Sequence, residues 1–116
     1  MKKTESKTQK RVRRHARIRA RIVGTSSCPR LAVFKSNCAL YAQVIDDERA
    51  VTLLATDSRS AAGKTARERA VEIGGVLGAQ AKKKGIERVV FDRGGFQYEG
   101  IIAAFADSVR TAGLVF

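Results

Sequence analysis

The sequence predicts an α/β fold: a basic helical arm, then a mixed four-stranded sheet packed with helices in the order β-β-β-α-β-α. Three observations carry that prediction. Positive charge is concentrated in the first 30 residues; three short β-branched or aromatic runs follow, separated by polar turns; and beyond Asp57 the apolar period lengthens from about 2 to about 3.6.

The chain has 116 residues, 23 Lys plus Arg against 11 Asp plus Glu, and a formal net charge of +12, which fits a single domain with a small core. Residues 1–30 hold 11 basic side chains and one acid, Glu5, whereas the remaining 86 hold 12 basic and 10 acidic ones. The division that follows is an arm and linker over residues 1–28 and one α/β domain over 29–116. The longest apolar run, Ile101 to Ala106, is far short of the roughly 18 residues that suggest a membrane span. No apolar stretch of the kind that follows a secretory n-region comes after the basic start, so the chain is expected to stay in the compartment where it is made. Cys28 and Cys38 are too few for a disulfide framework and read as ordinary small residues.

Within the arm, Lys7, Lys10, Arg14, Arg17 and Arg21 fall along one side of a helix, with Arg11, Arg13 and Arg19 on the flanks. Alternation from Arg17 to Ile22 also suits a strand, but the lack of Gly and Pro and the helix propensity of Arg, Lys and Ala favour the helix. Like charges four residues apart repel, so this helix is expected to be ordered mainly when a polyanion neutralises it. A solubilising tail and an organelle transit peptide are the competing readings. The transit peptide wants an apolar face that is missing, and the density of arginine favours phosphate contact.

The linker Gly24 to Pro29 consists of turn formers. Arg30 to Lys35 and Leu40 to Ile45 form a hairpin around Ser36-Asn37-Cys38-Ala39, and Val51 to Thr56 extends it to a meander with one apolar and one polar face. Ala66, Ala70, Ile73, Leu77 and Ala81 mark an amphipathic helix that closes at Lys82-Lys83-Lys84-Gly85. Its glycines, Gly74, Gly75 and Gly78, suggest a close approach to the sheet. Arg88 to Asp92 reads as a buried strand, and Ile101, Phe105, Val109 and Ala112 as the stripe of a last helix capped by Gly113. The crossover makes the fourth strand parallel to the third or the first; beside the first it gives the sheet order 3-2-1-4.

No catalytic constellation emerges. Two cysteines and the lone His15 match no common zinc spacing, and neither a phosphate-binding P-loop nor a nucleophile elbow is present. Asp46, Asp57 and Asp92 lie near strand ends, where a set of carboxylates can hold two Mg²⁺ ions for phosphodiester cleavage, but turn and helix-start positions are ordinary places for Asp. Phe91-Asp92-Arg93-Gly94-Gly95 lies between a strand and a helix. It suits either an anion cradle or a plain βα turn with an Asp92–Arg93 pair.

Arg13-Arg14-His15-x-Arg17-Ile18-Arg19, Gly24-Thr25, Pro29-Arg30-Leu31-x-Val33-Phe34, Ser36-Asn37, Tyr41-Ala42-Gln43-x-Ile45-Asp46-Asp47 and Val90-Phe91-Asp92-Arg93-Gly94-Gly95 occur in this order. Together they resemble the bacterial family of large-ribosomal-subunit protein eighteen over nearly the whole chain after residue 9. The resemblance implies a non-catalytic, cofactor-free protein of the cytoplasmic ribosome with an α/β domain of the ribonuclease-H-like type. It further implies binding to 5S rRNA and attachment of that RNA to 23S rRNA in the central protuberance, near large-subunit ribosomal protein five. The RNA-contacting residues it implies are Arg11, Arg13, Arg14, His15, Arg17, Arg19, Arg21, Lys35, Ser36, Asn37, Tyr41, Gln43, Arg93, Gly94 and Gly95. Two departures remove cations from the family pattern, Cys38-Ala39 in the hairpin turn and Glu99-Gly100-Ile101 before the last helix. Positions 99–101 are therefore expected to lie off the RNA, with the Ile101 side packed on protein.

The residues alone leave two other classes open, a generic basic DNA-binding protein and a small metal-dependent nuclease.

Overall fold

The computed structural model describes residues 6–37, 39–59 and 61–116; the expectations for residues 1–5 of the arm and for Cys38 in the hairpin turn lie outside them. Helix α1 (Lys7–Arg19) starts at a capping box in which the Ser6 hydroxyl accepts from the Gln9 amide at 3.1 Å and the Gln9 side chain accepts from the Ser6 amide at 2.8 Å. No residue of α1 is buried. Strands β1 (Arg30–Lys35), β2 (Leu40–Asp46) and β3 (Val51–Asp57) form the antiparallel meander, with Phe34 opposite Tyr41 and Ala32 opposite Gln43. Helix α2 (Ala66–Lys83) has its own capping box, Thr65 with Glu68, and crosses to β4 (Val90–Asp92), which runs parallel to β1. The sheet order is β3-β2-β1-β4, and helix α3 (Gly100–Thr111) completes the chain.

One face of the sheet is dry. Leu31, Val33, Leu40, Ala42 and Val44 pack there against Ala70, Ile73, Leu77 and Ala81 of α2 and Ile102, Phe105 and Val109 of α3. The other face is not simply polar: Ala32, Phe34, Tyr41 and Ile45 stand on it beside Arg30 and Gln43, and α1 lies across part of it.

Three local expectations need correction. The glycines of α2 approach α3 rather than the sheet: a Cβ at Gly74 would lie 2.8 Å from Ser108 Cβ, and one at Gly78 would collide with Ala112 Cβ. The stripe of α3 is centred on Ile102, with Ile101 and Ala112 only partly buried, because the helix faces both the sheet and α2. The last strand is shorter than expected. Arg88 forms an isolated parallel bridge with Val115, so the C-terminal tail pairs where the strand was expected to begin, and the Val89 amide donates to the Val115 carbonyl at 3.1 Å.

The glycines therefore have opposite sensitivities. Gly75 meets only Ser108 Oγ at 3.8 Å, so Gly75→Ala should stabilise the domain by up to about 1 kcal/mol through helix propensity. Gly78→Ala should lower the melting temperature, because α2 and α3 must separate. Thermal melts of the two variants check the pair.

Candidate nucleic-acid interface

The arm and the domain meet at a buried carboxylate. Asp92, with no exposed surface, ends β4 and faces the underside of α1. Its Oδ2 accepts from Arg30 Nη1 at 2.8 Å and from His15 Nε2 at 3.0 Å, and its Oδ1 accepts from the Gly94 amide at 2.9 Å. Arg30 reaches on to Asp47, donating from Nε at 3.0 Å and Nη2 at 3.1 Å. Asp47 in turn accepts from the Gly24 amide at 2.7 Å and lies 3.5 Å from Arg19 Nη1. The Arg30 guanidinium, with Gly24 and Arg19 in support, holds the Asp47 carboxyl down at about 2, against an ordinary 3.8. Asp47 raises the Arg30 pKa in return.

The Gly94-Gly95 turn lets α1 come this close. Both glycines have positive φ, +66° and +78°, and a Cβ at Gly95 would collide with the Arg11 carbonyl of α1. The Gly95 carbonyl accepts from Arg14 Nε at 2.9 Å. The Arg11 guanidinium sits 4.8 Å from the Phe96 ring centroid and 5.6 Å from that of Phe34. The glycine turn is thus the seat of the arm. Asp92 pairs with Arg30 and His15 rather than with Arg93, whose Nη1 donates to the Phe96 carbonyl at 2.9 Å.

Two concave surfaces flank α1. On one side Arg14, Arg17, Arg21 and Arg93, with Ile18 and Ala20, line an open groove of about 590 Å³. Arg17 and Arg21 are exposed and have no partner among the described residues. On the other side a cleft of about 360 Å³ between α1 and the sheet gathers Arg11, His15, Tyr41, Gln43 and Gly94. Lys35, Ser36 and Asn37 line a third, smaller hollow at the tip of the hairpin. Arg13 is exposed on α1, whereas Arg19 turns inward and donates to the Ile22 carbonyl at 2.7 Å.

A four-arginine groove on a docked basic helix narrows the chemistry to polyanions. Comparison with known proteins narrows it further: residues 5–116 match the family model described as ribosomal L18 of archaea, bacteria, mitochondria and chloroplast. The chain belongs to the ribosomal L18 family. It is similar to the large ribosomal subunit protein uL18 of Lactococcus lactis subsp. lactis, with 50% identity over 110 residues covering 95% of each chain. The uL18 of Thermotoga petrophila is 47% identical over 120 residues covering 98% of each, and that of Ligilactobacillus salivarius is 46% identical over 112 residues covering 95% of each.

Membership in the ribosomal L18 family makes the chain a structural protein of the large ribosomal subunit and not an enzyme. The carboxylates that suggested a nuclease have separate partners. Asp46 accepts turn amides from Glu48 at 3.1 Å and Arg49 at 3.4 Å, and Asp57 pairs with Arg59, which lowers its pKa. Among the described residues no group of three or more His, Cys, Asp or Glu is placed to hold a metal ion, and no helix is long and apolar enough to cross a membrane.

Reasoning from the sequence missed Asp47, Arg30 and Phe96 as parts of this site, and the Asp92–Arg93 pair, one of the two readings left open for the glycine turn, does not form. Ser6-Lys7-Thr8-Gln9 was a readable start signal for α1. Nothing local in the sequence pairs Arg30 with carboxylates 17 and 62 residues away.

Two measurements test this geometry. Asp47 stabilises the fold as the anion, so its contribution is complete above about pH 4 and is lost as pH falls towards 2. The difference in melting temperature between the native protein and Asp47→Asn should be constant above about pH 4.5 and narrow below it. Gly95→Ala should lift α1 from its seat, which hydrogen exchange would report as faster exchange of the α1 amides with the α2 and α3 amides still protected.

Proposed function

We propose that the chain binds 5S rRNA and attaches it to 23S rRNA in the central protuberance of the large subunit, beside ribosomal protein five. The observation that carries this reading is the groove of Arg14, Arg17, Arg21 and Arg93, backed by an arm of net charge +9 over residues 1–28. Residues 1–28 serve as the RNA-binding arm and linker and residues 29–116 as the domain that orients it.

The mechanism is phosphate neutralisation on a fixed frame. Folded RNA hides its base edges in a deep major groove, so a protein reads its shape, its phosphates and its 2′-hydroxyls. Arg17 and Arg21 offer forked donors to successive phosphates, Arg13 extends the row on the exposed side of α1, and Arg14 and Arg93 close the groove. Lys35, Ser36 and Asn37 add a second contact at the hairpin tip, with Tyr41 and Gln43 between the two. Arg11, His15 and Gly94 line the cleft beside this surface and also hold the arm in place, as do Arg19, which turns inward, and the buried Gly95.

Gel shifts with 5S rRNA at two salt concentrations, with tRNA and duplex DNA as competitors, test the reading. Binding should be selective for 5S rRNA and fall by several powers of ten as salt rises, if about six to eight phosphates are contacted. Arg17→Gln and Arg21→Gln should each flatten the salt slope by about one. Equal affinity for all three polyanions would overturn the 5S assignment. Deleting residues 1–22 should abolish binding and leave a cooperative melt, because the core begins at Leu31.

A further inference from the structure

The cleft between α1 and the open sheet face differs in chemistry from the arginine groove. Its floor is Ala32; Phe34 and Tyr41 stand on the sheet side, and Val12 lines it from α1. Val12 and Phe34 are 59% and 48% exposed, two large apolar side chains left open on facing elements. The basic side chains at its border are already engaged: Arg30 by Asp47 and Asp92, His15 by Asp92, and Arg11 by the rings of Phe96 and Phe34. The Asp92 carboxylate also lines it. A phosphate gains little here. A flat, uncharged ring with donors and acceptors on its edge gains stacking on Phe34 or Tyr41 and a hydrogen bond from the exposed Gln43 amide, which has no partner among the described residues. A volume of about 360 Å³ lies within the range of about 300–1,000 Å³ usual for small-ligand pockets. It admits one base with its ribose and excludes a duplex.

We propose that this cleft holds a single unpaired nucleobase extruded from the RNA, stacked on the Phe34–Tyr41 pair with its edge at Gln43. The Phe34 and Tyr41 ring centroids lie 6.3 Å apart and the rings are tilted by 43°, so the pair forms an angled wall rather than a closed stack. Arg59, whose guanidinium is 5.6 Å from the Tyr41 ring centroid, marks the outer edge of that wall. The inference rests on the RNA-binding reading and adds a structural preference to it: a loop or bulge must face the sheet while helical phosphates face the arm.

The test uses the full chain and a short single-stranded oligoribonucleotide carrying 4-thiouridine, free or annealed to its complement. Ultraviolet cross-linking should place the single strand on the Leu40–Asp46 peptide and the duplex on the arm but not on that peptide. Gln43→Ala, at an exposed position, and Tyr41→Leu should each weaken single-strand binding by about tenfold and duplex binding by less, with the salt slope unchanged. Cross-links confined to the arm, single-strand affinity equal to that of the native chain, or an equal loss for the duplex would each overturn the base-binding cleft. If the single strand cross-links at β2 while 5S rRNA shows no advantage over tRNA, the cleft stands and the 5S assignment falls.

Discussion

A carboxylate with no access to water needs a partner for each of its oxygens, and the placement of the arm follows from how Asp92 finds them. One partner, Arg30, comes from the neighbouring strand; one, His15, from the arm; and one, the Gly94 amide, from the turn that follows. Removing any of them leaves a buried polar group short of a bond, which costs more than the bond itself contributes. Asp92 thereby ties the helix nearest the N-terminus to the last strand of the sheet, 77 residues away. Asp47 repeats the arrangement at the far end of the arm, where Arg19 and the Gly24 amide converge on the carboxylate that also grips Arg30.

These acids answer a difficulty that the arm creates for itself. Lys7 and Arg11, Lys10 and Arg14, and Arg13 and Arg17 lie four residues apart, and each pair opposes the folding of α1. Neutralisation by a polyanion would relieve that repulsion, which is how the sequence alone reads. The fold supplies another source: the carbonyl of Gly95, the rings of Phe34 and Phe96 and the carboxylates of Asp47 and Asp92 each take up a cation, or His15, from the arm. Cations that face the domain act as anchors, while Arg17 and Arg21, pointing away, stay available for a ligand.

Local patterns carried most of the fold. Period-2 runs with polar turns place β1, β2 and β3 within a residue of their ends, and the apolar spacing from Ala66 to Ala81 finds α2, because both signals arise from the burial of one face. The glycines of α2 were harder to place. A glycine announces close approach but not the approaching element, and Gly74 and Gly78 turn out to face α3. The candidate site divides along the same line. The charge of Arg14, Arg17 and Arg21 is visible at once, whereas their separation from Arg11, His15 and Arg19 depends on contacts with residues 23 to 85 positions away. The aromatic character of the open sheet face was hidden for a related reason: Phe34 alternates correctly with Val33, but only the position of α1 shows that its side is partly roofed.

Net charge and fixed geometry do different work in this molecule. A charge of +12 attracts any polyanion over a Debye length of about 8 Å at physiological ionic strength, and salt weakens that attraction whatever the sequence of the ligand. Discrimination between one folded RNA and another requires that cations keep constant distances from one another, which a free, self-repelling helix cannot provide. The bonds at Gly95, Asp92 and Asp47 fix the middle and the C-terminal end of α1 against the domain and set the arginine groove and the aromatic cleft on different sides of one helix. The acids nearest the basic arm therefore fix its geometry. They give up two negative charges' worth of attraction for a polyanion and give the remaining positive charges a fixed place.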